Sequence, residues 1–404
     1  MLQSWRWFGP SDPVPLHYIR QAGATDIVSS LHDIPIGEAW NSDAIAQHQA
    51  LVEANNKPGS KLSWSVVESI PVHDSIKRAD RDTQRYIDAY KDSLQALAEA
   101  GIKTVCYNFM PLLDWTRTDL SWSLPTGGKA LRFDATAFAA FDLFILKRKA
   151  APQDLTSEQI THAENTFKAY SESQKNALTQ NILSGLPGAT TGGHTLAGFR
   201  RKLDDYRDIG HAELFNNLTD FLRQILPVAE QLGMKLAIHP DDPPRTLLGL
   251  PRIISCRNDL VALFTALPSS ANGLTFCTGS FGAGPHNNLV AMVTEFAQRI
   301  HFAHLRGTHC EIDGKSFHEA EHLNSDVDML SIIELLLREE RRRRTANPSD
   351  RGIPFRPDHG HQILDDLDKT CANPGYSHIG RMKGLAELRG AILALERGLE
   401  RQQK

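Results

Sequence analysis

Eight short runs of β-branched and aromatic residues, most of them followed by a longer segment of helical periodicity, constrain this chain more than any other feature. They fall at residues 4–8, 27–31, 63–67, 104–109, 235–239, 273–277, 300–304 and 354–358. Short apolar runs bounded by turn residues read as strands, and strands alternating with helices read as βα units. The clearest helical patterns lie at 82–100, before the fourth run, and at 214–232, before the fifth. Eight such units point to a closed parallel barrel, the (β/α)8 TIM architecture. No GxGxxG follows the first run to favour an open dinucleotide-binding sheet. Residues 1–404 are expected to form one barrel domain with insertions.

The spacing breaks once. About 125 residues separate the fourth run from the fifth, far more than a crossover helix needs. A helical insertion over about 112–205 is therefore expected there. Thr156, with Gln159 three residues on, has the form of a capping box opening a helix that runs to about Ser184, where Gly185, Pro187 and Gly188 stop it. The stretch 188–194 (GATTGGH) reads as a mobile loop. An insertion after a strand lies on the catalytic face of a barrel, so a lid over the substrate is one reading and a passive elaboration the other.

Composition narrows the partners. With 41% hydrophobic and 23% charged residues the chain is globular, and its net charge of −4 gives no electrostatic reason to bind nucleic acid. The basic run Arg338, Arg341–Arg344 follows an amphipathic stretch and reads as a solvated helix C-terminus. No apolar run approaches the ~20 residues needed to span a bilayer, and the N-terminus lacks a signal-peptide core, so no membrane partner and a cytoplasmic location are expected. Five widely spaced cysteines without a CxxC pair argue against a disulfide framework.

Chemistry concentrates at the C-terminal ends of the strands, where the βα loops of such barrels converge. The last residues of four successive runs are His239, Cys277, His304 and Asp358. A lone His or Cys at a strand end is ordinarily a packed side chain. Four competent ligands at equivalent barrel positions point instead toward one cation. In HPDDPP, Asp241 or Asp242 is placed to orient the His239 imidazole or to cap the next helix. The glycines of FCTGSFGAG let backbone approach a ligand. Arg306, in HLRG, suits a substrate carboxylate. His359 and His361, in RPDHGH, are acid–base candidates.

The segments WRWFGPSDPV, ALAEAGIKTVCYNFMPLLDWTRTDL, HPDDPP, FCTGS, HFAHLRG, RPDHGHQILDD and NPGYSHIGRMKGLAELRG resemble the mannonate dehydratase family, in order and spacing, over nearly the whole chain. The resemblance implies a barrel of the xylose-isomerase-like group that dehydrates D-mannonate to 2-keto-3-deoxy-D-gluconate in hexuronate (glucuronate) catabolism. It also implies one Mn²⁺ or Fe²⁺ per site and a homodimer. His239, Cys277, His304 and Asp358 match the family's metal-ligand motifs; His359, Arg306 and Tyr376 fall on its substrate and proton-transfer motifs.

Such a reaction removes a weakly acidic C2 proton beside a carboxylate, so it needs a cation for the developing charge, a base for C2 and an acid for the departing C3 hydroxyl. His359 and Tyr376 are assigned those two roles, in either order. Arg6 and Trp7, ending the first strand, and Asn108, ending the fourth, are expected to line the sugar pocket, with His32 a weaker candidate. A thiolate ligand favours Fe²⁺ or Zn²⁺ over the harder Mn²⁺. Three other readings compete: a metal-dependent aldose–ketose isomerase, usually richer in carboxylate ligands; a barrel phosphoesterase on damaged DNA, disfavoured by the acidic balance; and a closed structural zinc site.

Overall fold

The computed structural model describes residues 1–54, 56–186, 195–369 and 373–401. Among them run twelve strands: β1 (Leu2–Arg6), β2 (Asp26–Ser29), β3 (Ser63–Glu68), β4 (Thr104–Tyr107), β5 (Asp119–Ser123), β6 (Lys129–Phe133), β7 (Lys235–Ile238), β8 (Asn272–Cys277), β9 (Ile300–His304), β10 (Gly307–Cys310), β11 (Phe317–Ala320) and β12 (Pro354–Arg356). Eight of them close a barrel in the order β1, β2, β3, β4, β7, β8, β9, β12. Every neighbouring pair is parallel, and β12 returns to β1 through Leu2 opposite Pro354. Each of the eight runs read from the sequence overlaps one of these strands, several by reaching one or two residues past its end.

Local chemistry sets the entry into the strands. The helices Thr83–Glu99 and His211–Gln231 each end two residues before a glycine of positive φ, Gly101 at +81° and Gly233 at +63°. Beyond each glycine a backbone N–H turns back into the last turn, Ile102 to Leu97 O and Met234 to Ala229 O. This left-handed stop satisfies carbonyls that would otherwise be orphaned and turns the chain directly into β4 and β7.

Strand alternation divides the barrel walls. Val28, Val66, Cys106, Ala237 and Phe302 form a buried layer inside the barrel. Trp5 and Trp7 instead pack among the outer helices, against His378 and His48 respectively, so Arg6 between them faces inward. Trp7 is therefore core packing rather than pocket lining, a correction to the sequence reading.

The insertion between β4 and β7 is not wholly helical. It contributes the β5–β6 hairpin, which pairs with the β10–β11 hairpin into a four-stranded antiparallel sheet. Its expected long helix is two, Ser157–Ala169 and Glu172–Leu183, because Ser171 and Gln174 make a second capping box after the one at Thr156 and Gln159. A second apolar cluster forms beneath it, including Phe133, Phe141, Leu178, Ile182, Phe199 and Phe317. The expected loop at 188–194 lies outside the described residues, as does Cys371. The basic run ends the helix Met329–Ala346, yet it is not merely solvated: Arg343 donates to Ala297 O and Ile300 O as well as to buried Glu339. No helix among the described residues is long and apolar enough to cross a membrane.

Candidate active site at the carboxyl end of the barrel

His239 follows β7, Cys277 ends β8 and His304 ends β9, so three neighbouring strands carry one ligand each. Their ligand atoms lie within 4.8 Å of one another. Hydrogen bonds fix how they face. His239 Nδ1 donates to Pro240 O at 2.8 Å, which leaves Nε2 as a lone pair 3.2 Å from His304 Nδ1. Burial lowers the pKa of His239 and so favours its neutral, ligating form. Cys277 Sγ accepts from Ser280 Oγ at 3.1 Å and from Ser280 N at 3.4 Å, two donors suited to an electron-rich sulfur. His304 Nε2 lies 3.1 Å from Arg356 Nε and 3.3 Å from Glu68 Oε2, so these two partners together orient the ring. Asp358 stands beside the three, Oδ2 3.7 Å from Cys277 Sγ and Oδ1 3.9 Å from His304 Nδ1. Two imidazoles, a sulfur and an adjacent carboxylate, closely spaced and held by outer partners, fit a divalent cation.

Asp358 has a positive φ of +60°, a conformation Asp tolerates at some cost, two residues after β12. Its carboxylate is held by Arg356 Nη1 at 2.5 Å and by Arg306 Nε at 3.3 Å. Burial alone would push its pKa up, but Arg356, His359 and Arg306 keep it well below the usual carboxylate range. A buried chain of alternating charge extends from it. Arg356 grips Glu68 at 2.7 and 3.1 Å. Arg306 reaches Asp242 at 2.8 Å and Glu319 at 3.1 Å, and Arg117 binds the same two carboxylates at 2.7 and 3.0 Å. Removing one member of such a chain strands the rest, typically at about 3–5 kcal/mol.

This chain changes two sequence assignments. Arg306 is engaged within the protein instead of with a substrate carboxylate: its terminal nitrogens bond Asp242, Glu319 and Ser280 Oγ, and its Nε lies 3.3 Å from Asp358. Asp242 serves Arg117 and Arg306, and Asp241 accepts from Ile254 N and Ser255 Oγ, so neither orients His239. Arg6 is the contrasting cation. It is buried and donates to His32 Nε2 at 3.3 Å, yet it has no ion-pair partner among the described residues. His32 accepts readily, since burial and then Arg6 hold its pKa down at about 3.

His359 Nδ1 lies 2.7 Å from Glu319 Oε1, so that nitrogen carries the proton and Nε2 is left free, 4.0 Å from Asp358 Oδ1. Burial would raise Glu319, but His359 and Arg306 bring it to about 2. The Tyr376 ring meets the His359 ring edge-on, with centroids 4.9 Å apart, and its hydroxyl lies 3.5 Å from Arg356 Nη2. Burial pushes the Tyr376 phenol up to about 12. His361, the other acid–base candidate, is tied by Nε2 to Glu319 O. Asn108 lines a neighbouring cavity at the barrel rim rather than the ligand cluster itself, and its side chain hydrogen-bonds Asp114. Glu68, Arg356, Glu319 and Arg117 were not read from the sequence. Only Glu68 and Arg356 had a signal, at or next to strand ends.

With this geometry in view, the chain can be compared with known proteins. The family model described as D-mannonate dehydratase (UxuA) matches residues 1–402. Curated relatives called mannonate dehydratase include one from Chromohalobacter salexigens, 53% identical over 98% of this chain and 99% of that protein. Another, from Brucella melitensis biotype 2, is 52% identical over 98% of each. The crystal structure of mannonate dehydratase from Streptococcus suis serotype 2 superposes with a TM-score of 0.76 at 32% identity, covering 99% of this chain and 95% of that one.

Proposed function

The chain belongs to the D-mannonate dehydratase family of lyases, and on that footing we propose that it converts D-mannonate to 2-keto-3-deoxy-D-gluconate and water, as a cytoplasmic homodimer in hexuronate catabolism. The observation that carries the proposal is the meeting, at one end of the barrel, of the His239, Cys277 and His304 cluster with the Glu319-held His359 and the raised phenol of Tyr376.

His239, Cys277, His304 and Asp358 would hold a divalent cation, Mn²⁺ or Fe²⁺. When bound, such a cation offsets the negative charge that grows at the carboxylate end of the substrate as C2 loses its proton. Arg6, buried without a carboxylate partner, takes the substrate carboxylate. His359, with Nδ1 anchored, presents Nε2 to the C2 hydrogen and removes it as a proton. Tyr376 keeps its own proton at neutral pH and so gives it to the C3 hydroxyl, which leaves as water. The enol that remains loses its O2 proton and gains one at C3, so one water is released per substrate. Buried Arg356, between Glu68 and Asp358, fixes the ligand side of the site while Tyr376 acts.

The direct test strips metal from the protein, adds back Mn²⁺, Fe²⁺ or Zn²⁺ separately, and assays D-mannonate for a 2-keto-3-deoxy acid. Metal-dependent product that disappears in Cys277→Ser supports the site and the reaction together. Absence of product with every metal sinks the dehydratase reading.

A further inference from the structure

A cavity of about 330 Å³ opens between the barrel rim and the insertion, and the chemistry assigned so far does not use it. None of His239, Cys277, His304 and Asp358 lines it, but its inner wall is carried by the ends of neighbouring barrel strands. Asn108, which lines it, follows Tyr107, whose carbonyl accepts from His239 N at 2.9 Å. Ser69, also lining it, follows Glu68, which touches His304 and Arg356. Its outer side is closed by contacts from the far end of the insertion: Arg78 pairs with Asp205 at 3.3 Å, and Tyr206 donates to Asp74 Oδ1 at 2.7 Å.

The lining includes buried polar side chains. Lys77 is buried, and its one ion-pair partner among the described residues is Asp74 Oδ1 at 3.5 Å, an oxygen already taken by Tyr206. Burial pushes Asp114 above its ordinary pKa, against the pull of Lys77, and its carboxyl shares a hydrogen bond with the Asn108 side chain. Leu112 supplies an apolar wall. A buried ammonium, an amide and a hydrogen-bonded carboxyl beside apolar surface would meet the hydroxyls and C–H faces of a polyol. The three cations of the lining, Lys77, Arg78 and Lys202, are matched in number by Asp74, Asp114 and Asp205, which leaves no excess of positive charge to hold a second anion.

We propose that this cavity is the subsite for the hydroxylated tail of the sugar acid, carbons four to six, and that Lys77 and Asn108 read that tail. The inference rests on the dehydratase reading and adds a determinant of chain length to it. Energy from these remote contacts would appear partly in kcat, because it helps hold C2 and C3 against His359 and Tyr376.

The test compares D-mannonate with a four-carbon acid of the same C2 and C3 configuration, using the metal-loaded full chain. It measures kcat, KM and calorimetric affinity for wild type, Lys77→Met and Asn108→Ala. The expected result is a preference for six carbons that shrinks about tenfold to a hundredfold in Lys77→Met, by loss on D-mannonate. Asn108→Ala should move the same ratio and carries the test if Lys77→Met fails to fold. Where the short acid turns over too slowly, the two affinities supply the ratio. An unchanged preference, or equal loss on both acids, overturns the subsite while leaving the dehydratase reading intact. Wild-type protein that turns over and binds neither acid overturns both.

Discussion

At the scale of single residues, the proposed mechanism separates groups that touch substrate from groups that hold them. It places His359 in the first kind and Glu319 in the second. Glu319 accepts from His359 Nδ1 at 2.7 Å and from Arg306 and Arg117 at 3.1 and 3.0 Å, so one carboxylate fixes the tautomer of the base and ties it to the charge chain. His359→Gln should lower kcat by about 10²–10⁴-fold with metal content unchanged, the usual contribution of a positioned acid–base group. Glu319→Gln keeps an acceptor for Nδ1 and should lose less, about tenfold to a hundredfold, by analogy with other residues that orient an active imidazole. Steady-state kinetics with metal analysis checks both, and a Glu319→Gln loss as large as that of His359→Gln would mean the carboxylate charge itself takes part in the chemistry.

At the scale of elements, capping carries much of the insertion's architecture. Ser171 accepts from Gln174 N, and Gln174 Oε1 accepts from Ser171 N, starting a helix whose Leu178, Ile182 and Leu183 enter the second apolar cluster. Ser171→Ala should cost about 1 kcal/mol in urea unfolding, with kcat little changed. A null effect would mean that packing alone holds this helix. The same elements show where reading the sequence succeeds. All eight barrel strands were legible because each is a short, mostly buried run between turn residues, and four ligand candidates followed from position alone. The Ser171 box lay inside a stretch whose helical periodicity continued across it, so one helix was expected where two form. Strands β5, β6, β10 and β11 went unread although Gly127-Gly128 and Asp313-Gly314 sit at their turns, because their half-exposed sequences DLSWS and GTHC lack an apolar run. Glu319 was lost with them: its role exists only once β11 brings it beside His359, a pairing no local pattern encodes. Glu68 was missed by one residue, since the third strand was ended at Val67. Arg306 was located correctly but misassigned, because its three carboxylate partners arrive from distant segments.

At the scale of the whole molecule, the fold buries imidazoles outside the proposed site, and these should set its acid limit. His301 Nε2 donates to Ser270 O at 3.0 Å, while its Nδ1 is buried without a hydrogen-bond partner among the described residues. Burial, helped by Lys235 and Arg343, lowers its pKa from 6.5 to about 3. His48 is lowered to about 4, again first by burial. As pH falls below about 6.5 the unfolded chain takes up protons on these histidines that the native chain refuses, so stability must fall from there toward pH 3 to 4. The buried carboxylates act later. Glu319, held at about 2 in the fold, stabilises above the unfolded carboxylate range near 4.5 and loses that contribution only below it. Two windows should therefore separate in thermal melts of the metal-free protein: a decline beginning near pH 6.5 from the histidines, then a steeper one below about 4.5. His301→Gln should flatten the first window by about 3 kcal/mol at pH 4, whatever it costs at pH 7. A first window of unchanged slope in that variant would place the acid sensitivity in the charge chain around Asp358 rather than in the neutral histidines of the barrel wall.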